Sequence, residues 1–307
     1  MSKFVELPPQ DYDRNAFDAF ASQHGHFDLG DARAMMWMAQ LSNETGAPQT
    51  IVQIAPLWGF KPIPHFRAQG PVIDTRAIIG ERDDCTALAF AGTDPALARN
   101  LITDADCRLT ASDTHEGFQD AFDAVWPLIE PKIRAARPPL FFTGHSFGAA
   151  LAVLAAEKAH DIGIAPAVVY TFGMPRAGGR SFAARYDGKL GDRSFRLVHG
   201  GDIVPCVPEW IEHLAPPARV PFQHVGRMLK CDSGGKFDRN RPLSAMSCDD
   251  PRFGAGVREN WTNRVSAALA GKLLAAGGPG VLGPLFALLP FAIRDHLPDR
   301  YLIALTP

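Results

Sequence analysis

The 307-residue sequence has few cysteines and almost no net charge. Its five cysteines are an odd number and no two are spaced as CxxC, which argues against a zinc ribbon and against a fully paired disulfide scaffold. Reduced thiols in a cytosol-like compartment are the simpler interpretation. Because 31 lysines and arginines balance 33 acidic residues, the net charge is only −2, and a nucleic acid is not expected as a partner.

Signal sequences and unbroken apolar segments are also lacking. Residues 1–20 contain several acids and no apolar run of signal-peptide length, so we expect a cytoplasmic protein, with leaderless export as the alternative. Residues 273–293 carry no charge and are long enough to span a bilayer, but Pro279, Pro284 and Pro290 interrupt them. We expect this stretch to form an apolar loop that lines a pocket or touches an interface.

The order of predicted elements indicates an α/β fold in one domain over residues 1–307, with an irregular lead-in at 1–27. Two β-type runs, 72–80 and 85–91, flank the charged residues 81–84, which predicts a hairpin with a solvated turn. Strands and helices then alternate, which is typical of a mostly parallel sheet with helices on both faces. The other predicted strands are 140–143, 167–172, 194–199 and 221–229, and the predicted helices are 31–46 (capped by Asp31), 115–135 and 147–160.

A GxSxG motif, GHSFG at 144–148, lies between a predicted strand and a predicted helix. A nucleophile elbow needs this context, because a tight turn must project the serine over the edge of the sheet. Ser146 is therefore the candidate nucleophile, and the N–H of Phe147 at the helix start would point toward an oxyanion. The alternative is that Ser146 only caps the helix.

A serine nucleophile needs a base and an acid that orients it, in the chain order serine, acid, histidine. Asp202 follows the predicted strand 194–199 at its carboxyl end, where such folds place catalytic groups, and is the preferred acid. Asp187 and Asp192 precede that strand and are weaker alternatives. Three histidines are candidates for the base: His213, His224 and His296. Chain order alone does not choose among them.

Seven short motifs occur in an order that resembles the class 3 lipase family of α/β hydrolases, which includes the filamentous-fungal triglyceride lipases. The resemblance extends from about residue 31 to 305. The motifs are FAGT at 90–93, HEGF at 115–118, GHSFG at 144–148, TFGMPR at 171–176, VHGGDIVP at 198–205, FQHVG at 222–226, and DH with a following tyrosine at 295–301. This family implies an α/β-hydrolase fold with a lid segment.

The resemblance also implies a serine carboxylester hydrolase (lipase) that cleaves acyl esters of glycerides or other lipids through an acyl-enzyme, with no metal or organic cofactor. It assigns Ser146 as nucleophile, Asp202 as acid and His296 as general base, and it makes His224 a structural residue. The oxyanion donors that it implies are Thr93 and Phe147.

Three departures from the family pattern qualify these expectations. Ala91 replaces the arginine of FRGT, and Leu101 replaces the tryptophan of the NWxxD pattern in the predicted lid at 94–114. The acid and base are 94 positions apart, which predicts an insertion at 230–293. Within it, residues 273–293 are expected to wall the acyl site or to contact a lipid surface.

Several functional alternatives stay open at this point. A phospholipase A-type enzyme or a small-ester esterase would use the same residues, whereas a non-catalytic lipid-binding homologue would not need a complete triad. A toxin that attacks membrane lipids, exported without a leader and neutralised by a partner protein, is a further alternative. Acyl chain length, positional preference, interfacial activation and oligomeric state depend on features that the sequence does not reveal.

Overall fold

Seven strands form one mixed sheet in the computed structural model, which describes residues 6–22, 25–70, 74–92, 108–202, 204–206, 208, 222–238, 240 and 294–306. The strands are β1 His65–Gln69, β2 Asp74–Glu81, β3 Thr86–Phe90, β4 Leu140–His145, β5 Pro166–Phe172, β6 Ser194–His199 and β7 Arg227–Cys231. Their order in the sheet follows the chain. The pairs β1–β2 and β2–β3 are antiparallel and the other four pairs are parallel, so the predicted hairpin and the mostly parallel sheet are confirmed.

Helices cover both faces of this sheet. The α-helices are α1 Leu29–Leu41, α2 Pro48–Ile54, α3 Glu116–Ala135, α4 Phe147–Asp161, α5 Arg180–Leu190 and α6 Pro298–Leu305. Short 3-10 turns occupy Pro9–Asp11, Ser42–Gly46, Ala55–Trp58, Gly191–Arg193 and Val204–Cys206. Within the described residues, none of the helices is long and apolar enough to cross a bilayer.

Two apolar layers pack against the sheet, one on each face. Every residue of β4 and β5 is buried, as expected for central parallel strands. Side chains alternate along β5: Val168 and Tyr170 join the layer with α1 and α6, whereas Val169 joins the layer with α3, α4 and α5. The predicted coverage of both faces is therefore confirmed.

Two strand predictions differ from the structure. The edge strand β1 was not predicted, because its alternate residues are exposed and it has no apolar run that distinguishes it from a loop. The predicted strand 221–229 lies instead at Arg227–Cys231, and residues 222–226 form the loop before it.

The cap of α1 also differs from its prediction. Asp28, not Asp31, is the N-cap: its Oδ1 atom accepts the N–H groups of Gly30 (2.7 Å) and Asp31 (3.0 Å). The carboxylate of Asp31 is buried and accepts the N–H of Ala21 at 2.7 Å. Asp31 therefore holds the N-terminal segment on the helix rather than starting the helix.

The turn between β2 and β3 is only partly solvated, so the predicted solvated turn is wrong for Arg82. The Arg82 guanidinium lies over the rings of Phe17, Phe20 and Phe60, at 5.1, 5.5 and 5.7 Å from their centroids. Because these cation–π contacts join residues 6–22 to the hairpin, the lead-in packs on the body although it contains little regular structure.

Candidate active site

Ser146 occupies a strained turn between β4 and α4. Its backbone has φ 56° and ψ −126°, a region that residues other than glycine rarely adopt. The Ser146 N–H donates to the Phe172 carbonyl on β5 at 2.9 Å, which holds the turn against the sheet. A Cβ on Gly144 would lie 2.2 Å from Gly148 O, and a Cβ on Gly148 would lie 2.3 Å from Phe90 O. Both glycines are therefore required by the close approach of strand and helix.

The side chain of Ser146 faces the base rather than the helix. It makes no capping hydrogen bond to α4, so the interpretation of Ser146 as a simple cap is wrong. Instead, its Oγ lies 2.8 Å from Nε2 of His296. This distance is within the range at which a general base takes a hydroxyl proton.

Asp202 lies beyond the end of β6, on the other side of the His296 ring from Ser146. Its Oδ2 is 2.8 Å from His296 Nδ1, and its Oδ1 accepts the N–H of Val204 at 2.9 Å. Because an ionised carboxylate only accepts hydrogen bonds, the ring proton resides on Nδ1 and the Nε2 lone pair faces Ser146. The structure thus brings together the three residues to which the family resemblance assigns the roles of nucleophile, acid and base.

A fourth side chain, Tyr301 on α6, contacts the acid directly. Its hydroxyl donates to Asp202 Oδ2 at 2.5 Å and accepts the N–H of His199 at 3.2 Å. Burial, together with the negative charge of Asp202, raises the pKa of the Tyr301 phenol well above its usual value. The phenol therefore stays protonated and keeps its hydrogen bond to the acid. Tyr301 was noted in the sequence only as part of a motif, and its contact with Asp202 was not predicted.

The histidine next to the nucleophile was also missed as a functional residue. His145 is buried, and burial, with a smaller effect from the nearby His296, lowers its pKa well below the usual value. The ring is therefore neutral. Its Nε2 lies 2.8 Å from the His296 carbonyl oxygen, and because that oxygen can only accept, Nε2 carries the proton. His145 thus ties the backbone of the base to the strand that carries Ser146.

The oxyanion side of the site is described only in part. Phe147 is the first residue of α4, where backbone N–H groups have no partner within the helix, and its ring packs on Phe118 at 5.4 Å. Thr93, the other predicted donor, lies outside the described residues. The preceding residue, Gly92, donates its N–H to the side-chain oxygen of the buried Asn43 at 3.1 Å. Asn43 belongs to none of the seven family motifs.

The two competing acids serve other purposes. Asp187 accepts the N–H of Gly226 at 2.7 Å, and Asp192 pairs with Arg227. Both lie near the amino-terminal end of β6, whereas His296 lies near its carboxyl-terminal end. The choice of Asp202 over these alternatives therefore agrees with the geometry.

Among the other candidate histidines, His224 lies in the loop before β7, not within a strand. Its Nε2 is 2.6 Å from the carbonyl oxygen of Pro205, a contact that fits a structural role. His213 lies outside the described residues, as do residues 94–107 of the predicted lid region and the apolar stretch 273–293. The expectations for these segments stay predictions.

Part of the chain is similar to a known family. A family model described as "Lipase (class 3)" matches residues 87–212, the part of the chain that carries the elbow and Asp202. Over these residues the chain resembles the class 3 lipase family. Toxin TseL of Vibrio cholerae is 31% identical over 206 residues, which cover 60% of this chain and 32% of that protein. The secreted mono- and diacylglycerol lipase LIP4 of Malassezia restricta is 46% identical over 85 residues, which cover 27% and 25% of the two chains.

The chain thus spans a third or less of the length of these curated relatives. Among solved structures, the lipase of Rhizomucor miehei in its propeptide complex matches with a TM-score of 0.54. The match has 22% sequence identity and covers 68% of this chain and 69% of that one. It shows a shared fold, so the predicted α/β-hydrolase architecture is confirmed.

Replacing Tyr301 by phenylalanine removes the hydroxyl that donates to Asp202 and keeps the ring in the core. A hydrogen bond to a charged group contributes about 1.5–3 kcal/mol. If about half of this acts on the transition state, kcat falls about 4- to 13-fold, whereas KM is nearly unchanged. The matched control is Tyr186→Phe, which loses a 2.8 Å hydroxyl contact with Ser194 away from the site. Equal kcat values in the two variants would refute the role of Tyr301.

Gly173, directly after β5, is expected to tolerate no side chain. It has φ +57°, and a Cβ there would lie 2.8 Å from Asp202 Oδ2 and 2.9 Å from His296 Nδ1. Since a shift of about 1 Å in a reacting group can cost about 100-fold in rate, Gly173→Ala should lower kcat by about that factor.

The matched control for Gly173 is Gly163→Ala. Gly163 has φ +84° and no atom within 4 Å of a built Cβ, so this variant bears only the backbone strain of about 1–2 kcal/mol. We expect it to lose stability in thermal unfolding and to keep its kcat. A fully active Gly173→Ala enzyme would show that the acid–base pair tolerates displacement.

Proposed function

We propose that the chain is a serine carboxylester hydrolase (a lipase) that cleaves acyl esters of glycerides or other lipids. The observation that carries this proposal is the hydrogen-bonded series from Ser146 through His296 to the buried Asp202. The match of residues 87–212 to the lipase family and the lipase named among the relatives support it. Because this chain spans a third or less of the length of those relatives, the activity of the whole protein is part of the proposal.

In the proposed reaction, His296 Nε2 takes the proton of Ser146 as its Oγ attacks the ester carbonyl. The N–H of Phe147 and the donors of Thr93 stabilise the oxyanion, and the negative charge of Asp202 stabilises the imidazolium. His296 then gives the proton to the departing alcohol, which leaves an acyl-enzyme. Water, deprotonated by the same base, releases the fatty acid and restores the serine.

Substrate access and location are further parts of this proposal. We propose transient contact with a lipid interface, supported by the match to the lipase family, and residence in a reducing, cytoplasm-like compartment. One described cysteine supports the compartment: Cys85 is a buried, free thiol. A phospholipase A-type or small-ester esterase activity would use the same three catalytic residues and is separated from the main proposal only by substrate preference.

The proposal is tested by hydrolysis of p-nitrophenyl esters from acetate to palmitate, together with labelling by a fluorophosphonate. We expect the wild type to prefer longer chains and to be labelled, and Ser146→Ala to lose both properties, with a kcat lowered by at least about 1,000-fold. Ser181→Ala, at an exposed serine of α5, is the control and should behave like the wild type. A folded wild type that neither hydrolyses any ester nor becomes labelled would refute the enzyme proposal. A preference for the acetate ester would favour the small-ester esterase. A preference for phospholipid vesicles over triglyceride emulsions would favour the phospholipase A-type enzyme.

A second candidate function is that of a toxin that degrades lipids of a target cell. The observation that favours it is the match to a protein named as a toxin, which extends over 60% of this chain. Expression in a bacterial host, with and without a signal that directs the chain to the periplasm, tests this candidate. Growth arrest by the wild type that disappears in Ser146→Ala is the expected result for a toxin. Normal growth in both compartments, or arrest that persists in Ser146→Ala, would contradict it.

A further inference from the structure

The residue before the base is a buried carboxylate that joins three segments of the chain. Asp295 is 1% exposed. Its Oδ2 accepts the N–H of Gly201 at 2.8 Å, and its Oδ1 accepts the hydroxyl of Ser233 at 3.0 Å. Asp295 thus links the loop after β6, the loop after β7 and the segment that leads into α6.

One of these contacts links the two chain segments that carry the acid and the base. Gly201 directly precedes Asp202, and Asp295 directly precedes His296, so the 2.8 Å hydrogen bond joins the two backbones next to the residues that form the pair. The backbone carbonyl of Asp295 also lies 3.3 Å from Nδ1 of His199, at the end of β6. The position of the acid relative to the base is therefore set from the backbone as well as by their own side chains.

The turn at Gly200 packs closely against this carboxylate. Gly200 has φ +54°, and a Cβ there would lie 2.2 Å from Asp295 Oδ2, so only glycine permits the turn to approach the carboxylate so closely. Burying a carboxylate is unfavourable unless hydrogen bonds replace its water. The titratable group that faces it is the His199 ring, with Nδ1 at 3.8 Å from Oδ1. A neutral side chain would fill the position at lower cost, which suggests that the hydrogen-bonding geometry is what matters.

We propose that Asp295 is a positioning residue for ester hydrolysis: through Gly201 it sets the separation between Asp202 and His296. This inference rests on the proposed hydrolase function. Asp295 touches no reacting atom and acts only through the pair. It differs in this from an ordinary structural anchor, whose loss would lower stability and leave the turnover of each folded molecule unchanged.

The first test compares two replacements of Asp295. Asp295→Ala removes the hydrogen bonds to Gly201 and Ser233. Because a displaced catalytic group commonly costs about 10- to 100-fold in rate, kcat should fall by that factor with KM nearly unchanged. Asp295→Asn keeps an oxygen for Gly201 and offers its amide to the Ser233 oxygen, so it should retain most of the wild-type kcat. A kcat per folded molecule that is unchanged in Asp295→Ala, or equally lowered in Asp295→Asn, would overturn the proposal.

A second variant, Gly200→Ala, disturbs the same contact from the Gly200 side. It replaces Asp295→Ala as the test if Asp295→Ala does not fold. Gly200→Ala should displace the carboxylate and lower kcat as Asp295→Ala does. Its effect should shrink in the Asp295→Ala background, where the clash with the carboxylate is absent and only the close contact with Ser233 Cα (2.8 Å) remains. Gly234→Ala is the control, because Gly234 has φ +72° and nothing within 4 Å of a built Cβ. Equal kcat values in Gly200→Ala and Gly234→Ala would argue against the positioning of the acid–base pair by Asp295.

A spectroscopic measurement separates this inference from the proposed function. The low-field proton resonance of the His296 Nδ1–H reports its hydrogen bond to Asp202 without any substrate. It should weaken or disappear in Asp295→Ala and persist in Asp295→Asn, and its persistence in both variants would overturn the proposal. A wild type that shows this resonance and hydrolyses no ester would refute the hydrolase function and leave the positioning by Asp295 supported.

Discussion

The carboxylate of Asp202 is shielded from solvent, and a buried charge of this kind is stable only when donors surround it. A backbone N–H from Val204, the hydroxyl of Tyr301 and the ring of His296 supply these donors. Two of the three come from a segment that is more than ninety positions further along the chain. The need to satisfy one carboxylate therefore determines where α6 and the residues before it must lie, and with them the base.

The nucleophile is held by a different constraint, which acts over a few residues. β4 ends, Ser146 adopts a left-handed backbone conformation and α4 begins, and the glycines on either side let the strand and helix approach closely. The two constraints meet at His145, whose neutral ring sits next to the nucleophile and holds the backbone of His296. The site is thus a rigid elbow to which a distant segment is attached by buried hydrogen bonds.

The elements that could be predicted are those with a strong local pattern. The hairpin, the helix at Glu116–Ala135 and the strand at Ser194–His199 all have an apolar periodicity or clear flanking turns. The edge strand β1 has only two apolar residues, Phe66 and Ala68, and its other three residues are exposed, which is too short a pattern to distinguish it from a loop. The cap of α1 was misassigned because two aspartates compete near its start, and the choice between them depends on which carboxylate the N-terminal segment covers.

By itself, the sequence determined most strands of the sheet, the elbow and the candidate nucleophile, because strand, turn and helix follow one another and their interactions span few residues. It also limited the acid to a few aspartates near one strand, and the family resemblance named His296 among three histidines. Only the tertiary structure decided which histidine reaches Ser146 and which groups surround Asp202. Apart from the N–H of Val204, those contacts join residues that are 94 to 150 positions apart, and no local pattern encodes a hydrogen bond across that distance.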